Sequence, residues 1–309
     1  MTQKTIDILS NLNKQFYDET GSVVWNQKSD YYWEGWYQLT NFIRINLTLN
    51  FGKLNMKIPI HAKESQTDGV DFGKVKNCFS FNDIPVANSS INQNTFKILD
   101  LGCGNARFAN FLNSQLDHES IKNIEYLGVD FSVNFMEQSS VIGQNFASYE
   151  LKQLNVLEQL DDLTSSKFDL IVMFGLIHHI PSLKARQAFY TQTTKLLSFN
   201  GLLIFTTWQY LDTTRLVKRV IDPQTPKGME AYSHIGIQKT DLEVGDNILD
   251  WVKKVFSYRY SHYFSFQEIQ DYIFDNNLEL VHSFVCDGKD SKRNKYYLCK
   301  PKNTTNTYC

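Results

Sequence analysis

Residues 97–108 read KILDLGCGNARF, an apolar run that ends in a carboxylate, Asp100, and two closely spaced glycines, Gly102 and Gly104, with Cys103 between them. The glycines allow a tight turn and let the backbone approach a ligand with no Cβ in the way. A carboxylate at that strand tip would repel a pyrophosphate, but it can accept hydrogen bonds from a cationic amino-acid moiety. The dinucleotide fingerprint also fails by residue count, because its third small residue would fall at Arg107. The loop therefore suits a sulfonium cofactor. Further on, the apolar run 126–129 ends in Asp130 and Phe131, where an acidic side chain can take both hydroxyls of a ribose. Asn155 and Val156 follow a short strand and offer a side-chain amide and a backbone group to the edge of a base. Residues 168–177, FDLIVMFGLI, form a continuous apolar run typical of a strand buried on both faces, and they lead directly into His178 and His179.

These groups need a scaffold, and the chain has the length for one: 309 residues bury a sizeable core and can hold one large domain with additions. The first 45 residues read as helices, with Ile6, Leu9, Leu12 and Phe16 at helical spacing and an aromatic cluster over 31–37. Residues 45–60 alternate apolar and polar types about a glycine-containing turn at 51–53, which predicts a β-hairpin inside an insertion spanning 46–94. Such an insertion is either decoration or a flap whose edge receives another chain. The net charge of -2 supplies no global basic field, so a nucleic-acid contact would need a local patch or a partner chain. Arg215, Lys218 and Arg219, at helical spacing, form either such a patch or a solvated helix face. Five cysteines without a CxxC pair read as reduced thiols, and a structural metal is not expected. With neither an apolar signal core nor a membrane-length run, the expected location is the cytoplasm, with no membrane partner.

Taken in order, DLGCGNA, GVDFS, LNV, FDLIVMFGLIHH and LLSFNGLLIFTTW resemble the class I S-adenosylmethionine-dependent methyltransferases over roughly residues 94–208. The resemblance implies an α/β fold with a doubly wound, mostly parallel seven-stranded sheet, Rossmann-like, and S-adenosyl-L-methionine across the carboxyl ends of its strands. The expected organisation is a helical cap over 1–45, the hairpin insertion over 46–94, a methyltransferase domain over 95–302 with a substrate-side insertion at about 209–262, and a tail over 303–309. In such enzymes amino-terminal helices often cap the cofactor, which gives Tyr17, Tyr31 and Tyr32 a second reading as lid residues beside the reading as core.

The later segment 241–271 narrows the resemblance. Gly245, Asp246, Trp251, Arg259, Tyr260, His262 and Phe264, together with IHH at 177–179 and RNKYYLCKPK near the end, are similar to the tRNA wobble-uridine (carboxymethyluridine) methyltransferase family. That family commonly has Thr-Arg before a Trp-Pro pair, whereas this chain has Gln27-Lys28-Ser29 before Trp33-Glu34, and lysine is not an equivalent bidentate group. The resemblance implies tRNA as a partner and, in eukaryotic members, a small zinc-binding activator subunit.

Methylating a carboxylate needs no strong general base, because the oxygen is already ionised at neutral pH; the site must align it with the sulfonium methyl at about 3 Å. On the resemblance, Arg259 holds one carboxylate oxygen or an anticodon phosphate, and His178 or His179 orients the other or contacts the base. Tyr260 and His262 flank the pocket, and Trp208 either stacks on the wobble base or is simply buried. Adjacent residues of an extended segment cannot both face one pocket, so His178 is preferred over His179. A small-molecule O- or N-methyltransferase shares every cofactor motif, and a noncatalytic scaffold does not require them.

Overall fold

The computed structural model describes residues 1–25, 32–51, 95–139, 143–251 and 257–302. Nine strands occur among them: β1 (Phe96–Leu101), β2 (Ile124–Asp130), β3 (Ser148–Gln153), β4 (Phe168–Met173), β5 (Leu197–Trp208), β6 (Asp246–Asp250), β7 (Tyr258–His262), β8 (Leu278–Cys286) and β9 (Asn294–Pro301). The helices are α1 (Gln3–Trp25), α2 (Glu34–Phe51), α3 (Arg107–Gln115), α4 (His118–Ile121), α5 (Val133–Met136), α6 (Leu183–Leu196), α7 (Thr214–Val217), α8 (Pro226–Ile235) and α9 (Phe266–Asp275).

Seven strands form one sheet in the order β3-β2-β1-β4-β5-β9-β8. The pairs from β3 to β5 are parallel, and β9 joins β5 and β8 antiparallel. This is the expected doubly wound, Rossmann-like sheet. It arises because alternate residues of each central strand feed opposite cores. Leu99, Leu101, Ile171, Met173, Leu203 and Phe205 pack on one side with Phe189 of α6 and Ile269 of α9. Ile98, Leu170, Val172 and Ile204 pack on the other with Phe108 and Phe111 of α3 and Trp36 and Leu39 of α2. Burial on both faces explains why 168–173 carries no polar alternation. The strand order reverses between β1 and β4, which opens a crevice at their carboxyl ends.

Beyond β5 the chain adds α7, α8 and an antiparallel ribbon of β6 and β7. Helix α1 packs across this addition, with Leu9 against Ile248, Tyr258 and Tyr260. Ser265 caps helix α9, its Oγ accepting the N–H of Glu268 at 3.1 Å.

The amino-terminal reading is corrected in one respect. Helix α2 continues to Phe51, so residues 46–51 are helical rather than the first strand of a hairpin. Ile43, Leu47 and Phe51 stand four apart, so the residues that alternate also satisfy a helical period. The remainder of the expected insertion, 52–94, lies outside the described residues, as do Tyr31, the stretch Gln27-Lys28-Ser29 and the tail 303–309. Tyr32 belongs to the core, its ring edge-on to Phe111 at 5.3 Å.

Candidate active site

At the ends of β1 and β2 the loop 102–106 is held by its own backbone. The N–H groups of Gly102 and Cys103 both donate to the Val129 carbonyl, at 2.8 and 3.0 Å. Gly102 and Gly104 take φ of +74° and +53°, and a Cβ on Gly104 would stand 2.7 Å from the Phe135 ring. The Gly104 N–H donates to Asp130 Oδ2 at 2.9 Å, and the Ser132 N–H donates to Asp130 Oδ1 at 2.9 Å. Each Asp130 oxygen therefore keeps a lone pair for a further donor. Asp100 is buried and accepts the Tyr126 hydroxyl at 2.5 Å. Burial pushes its carboxyl up to about 7, with the Tyr126 hydrogen bond opposing and the Asp130 charge adding to the rise. Cys103 is buried between the strands, and burial raises its thiol well above the ordinary range.

On the far side, Asn155 Oδ1 accepts the Leu157 N–H at 3.1 Å, which leaves the amide NH₂ as the remaining donor of that side chain. Val156 sends its side chain into the core, so only its backbone can face a base. The Phe131 carbonyl accepts from Gln153 Nε2 at 3.2 Å.

The other side of the crevice is built by the loop after β4, by β7 and by α1. Residues Ile177–His179 form a 3₁₀ turn, not an extended segment, so both histidines lie against the site, their ring centroids 4.3 Å apart. His178 is buried with its ring 5.7 Å from Trp208, and its Nδ1 has no hydrogen-bond partner among the described residues. Burial, then the neighbouring His179 and Arg259, hold it well below the ordinary imidazole range. His179 places Nε2 2.6 Å from the Tyr17 hydroxyl and Nδ1 3.1 Å from the Tyr260 carbonyl. Burial and the Arg259 charge lower it to about 3.

Arg259 is enclosed by aromatic rings: its guanidinium carbon lies 4.3 Å from the Trp208 centroid, 5.1 Å from Phe16 and 5.5 Å from Trp251. Its Nε is sealed from solvent without a partner among the described residues. Among the described residues no carboxylate comes within ion-pair distance of it. Burial lowers its pKa, yet an arginine stays charged.

Tyr260 and His262 stand on the alternate positions of β7 and join a different network. The Tyr260 hydroxyl donates to Asp246 Oδ1 at 2.6 Å. His262 donates from Nδ1 to Asp246 at 2.7 Å and from Nε2 to Glu268 at 2.8 Å, and these two partners raise its pKa against the cost of burial. Arg186 of α6, fully buried, donates from Nε to Glu268 Oε1 at 3.2 Å and to the Tyr272 hydroxyl at 3.2 Å, and sends Nη1 to the Ile180 carbonyl at 3.1 Å. This cluster fastens the β6–β7 ribbon to α6 and α9.

The structure thus gathers Asp100, Gly102, Gly104 and Asp130 at one end of the crevice and His178, Arg259 and Trp208 at another. Tyr260 and His262 are spent on Asp246 and Glu268. Of the expected basic patch, Arg215 and Lys218 are exposed, whereas Arg219 pairs with Asp250 at 3.6 Å. Arg186, Glu268 and Asn13 escaped the sequence reading, since each is a single polar residue whose partners lie far along the chain.

Residues 99–203 match a family described as a methyltransferase domain. With the sheet order and the loop geometry, this decides the class. The chain carries a class I S-adenosylmethionine-dependent methyltransferase domain and is an enzyme. No curated protein matches it. Among solved structures it is similar to a SAM-dependent methyltransferase from Methanosarcina mazei, at 16% identity over 68% of this chain and 93% of that one, with a TM-score of 0.49. A SAM-dependent methyltransferase from Anabaena variabilis matches over 95% of both chains at 14% identity and a TM-score of 0.49. Magnesium protoporphyrin IX methyltransferase from Synechocystis, solved with bound SAM, matches at 10% identity over 68% of this chain and 72% of that one, with a TM-score of 0.40.

The residues present in this methyltransferase fit its cofactor. Asp130 retains acceptor capacity for a ribose diol, Asp100 is a buried carboxylate without a cationic partner among the described residues, and the positive-φ glycines leave backbone bare between them.

Proposed function

We propose that this enzyme methylates the carboxylate of a carboxymethyl-type wobble uridine in tRNA. The observation that carries the reading is Arg259, a cation walled by Trp208, Phe16 and Trp251, whose Nε has no partner and which has no carboxylate within ion-pair distance among the described residues. Leaving a charge so enclosed is costly unless a ligand anion completes it. The similarity of 241–271 to the wobble-uridine enzymes supports a carboxymethyluridine carboxylate as that anion.

When bound, S-adenosylmethionine supplies an electrophilic methyl group. Arg259 holds the acceptor carboxylate and limits its rotation, and Trp208 presents a flat face beside it. His178, kept neutral by burial, offers an uncharged ring that orients the acceptor without adding a second cation. Held by Arg259, one carboxylate oxygen would accept that methyl group, and the cofactor would leave as a neutral thioether. No proton moves, in keeping with a site whose histidines are not poised as bases. Tyr260 and His262 act as positioning residues, holding β7 so that Arg259 faces the crevice.

A small-molecule carboxylate remains the second reading, favoured by the net charge of -2 and by the pairing of Arg219 with Asp250. In the tRNA reading, the missing positive surface is supplied by a partner such as a small zinc-binding activator. No helix among the described residues is long and apolar enough to cross a membrane. The buried free thiols of Cys103, Cys286 and Cys299 support a reducing, cytoplasmic setting.

The test is methyl transfer from labelled cofactor to total tRNA from cells lacking this protein, followed by nucleoside mass spectrometry. A new methyl ester on a wobble uridine is expected. Transfer to a small carboxylic acid with none to tRNA would establish the second reading.

A further inference from the structure

Tyr260 follows Arg259 along an edge of β7 that no strand covers among the described residues. The β6–β7 ribbon has two strands, and Tyr260 stands opposite Ile248 across it. Ladder bonds run from the Tyr263 N–H to the Gly245 carbonyl at 2.8 Å and from the Trp251 N–H to the Ser257 carbonyl at 2.9 Å. Hydrogen-bonded and non-hydrogen-bonded pairs alternate in such a ribbon, so Ile248 and Tyr260 form a pair without mutual hydrogen bonds. Both backbone groups of Tyr260 therefore turn to the free edge, where, buried, they need partners.

Two side chains take them. Buried Asn13 of α1 accepts the Tyr260 N–H at Oδ1, 2.9 Å away. A backbone carbonyl only accepts, so His179 donates from Nδ1 to the Tyr260 carbonyl at 3.1 Å. Asn13 Nδ2 donates to the His179 carbonyl at 3.2 Å and so ties the two residues together. The neutral His179 ring is left with an acceptor at Nε2, to which the Tyr17 hydroxyl donates at 2.6 Å. Both nitrogens of His179 are thus used within the protein. Helix α1 is anchored one residue further on, where Asp18 accepts the Ser132 hydroxyl at 2.5 Å. The N–H that Asn13 holds belongs to the planar peptide unit joining Arg259 to Tyr260, so this grip acts directly on the backbone that carries the arginine.

We propose that Asn13 is a positioning residue: with His179 it forms a side-chain clasp that stands in for a third strand on β7 and sets where Arg259 enters the crevice. The inference rests on the reading of Arg259 as the cation that holds the acceptor carboxylate, and it moves His179 from contact with the acceptor to support of β7.

The test uses Asn13→Ala, which removes both bonds, and Asn13→Asp, which keeps the acceptor for the Tyr260 N–H, loses the donor to His179, and serves alone if the alanine variant does not fold. In ¹⁵N-arginine-labelled full-length protein with S-adenosylhomocysteine, the Arg259 Nε–H signal, assigned by its loss in Arg259→Lys, is expected to shift in each variant while cofactor affinity by calorimetry stays within about twofold. An unmoved signal overturns the proposal whatever the acceptor is, and so does a shift accompanied by lost cofactor affinity, which marks general loosening of the crevice. With a synthetic anticodon stem-loop carrying 5-carboxymethyluridine, kcat is expected to fall about tenfold in Asn13→Ala, with the KM for cofactor unchanged. The same substitution is expected to add nothing in an Arg259→Ala background. A full effect in that background overturns the proposal, because Asn13 would then act through another group. If the wild type leaves the stem-loop unmethylated, the functional reading fails, and the Arg259 Nε–H signal still decides the role of Asn13.

Discussion

The Arg259 guanidinium carbon lies 4.3 Å from the centre of the Trp208 ring, face against cation, at the end of the strand that leads out of the methyltransferase core. This contact joins the β6–β7 ribbon to the seven-stranded sheet. Cation–π contacts of this kind contribute up to about 2 kcal/mol each when desolvated, less than a counter-ion would contribute, so the site is left with a demand for an anion.

The first prediction concerns that demand. Arg259→Ala is expected to leave cofactor affinity within about twofold and to lower turnover on the true acceptor about a hundredfold, because only the orientation of the acceptor is lost. Arg259→Lys restores little, since an ammonium neither stacks flat nor forms the planar fork. Calorimetry with the cofactor and steady-state kinetics separate the two effects.

Asp100 gives the second. With its carboxyl raised to about 7, cofactor affinity is expected to fall as pH is lowered from 8 to 6, because a cationic ligand requires the ionised form. Calorimetry in buffers of different ionisation enthalpy should show proton release near pH 7. The same shift means that the ligand-free protein keeps a proton the unfolded chain has lost, so this group makes stability fall as pH rises from 3.8 to about 7. Asp100→Asn is therefore expected to stabilise the ligand-free enzyme at pH 8 while weakening cofactor binding.

His179 predicts the opposite slope. Its folded value of about 3 against an ordinary 6.5 means the unfolded chain takes up the proton first, so stability is lost as pH falls through that window. His178 acts in the same direction. His179→Gln should flatten this acid limb in urea titrations at pH 7 and pH 5, read as a difference from the wild type because Asp100 opposes it over part of the range.

The buried cluster gives a fourth prediction. Asp246→Asn leaves His262 and Arg186 short of an anion in a closed space, and about 3 kcal/mol of stability should be lost, seen as a lowered Tm. Cofactor affinity measured below the new Tm should be nearly unchanged, since the cluster lies away from Asp100 and Asp130.

Local features were the ones legible in the sequence. Asp100, Gly102, Gly104 and Asp130 each sit within a strand and its following turn, so residue type and spacing were sufficient to place them. The central strands announced themselves because both faces are buried. Long-range partners were hidden: Glu268 lies 82 residues from Arg186, and nothing in either helix marks the pair. Proximity in sequence groups Tyr260 and His262 with Arg259. The two-residue period of β7 separates them, and strand alternation was the signal that could have found this. The preference for His178 over His179 rests on an extended segment, and the 3₁₀ turn removes that premise. The helical continuation to Phe51 was hidden because Ile43, Leu47 and Phe51 fit both periods.

The most direct test of the central claim is base-labile methyl transfer. Wild-type enzyme and Arg259→Ala, each shown to bind cofactor, are incubated with methyl-labelled S-adenosylmethionine and tRNA from cells lacking this protein, and the product is treated with mild alkali. A carboxylate held by Arg259 predicts volatile labelled methanol from the wild-type reaction and nearly none from the variant. A methyl group that resists alkali, or methanol release undiminished in Arg259→Ala, would contradict the account.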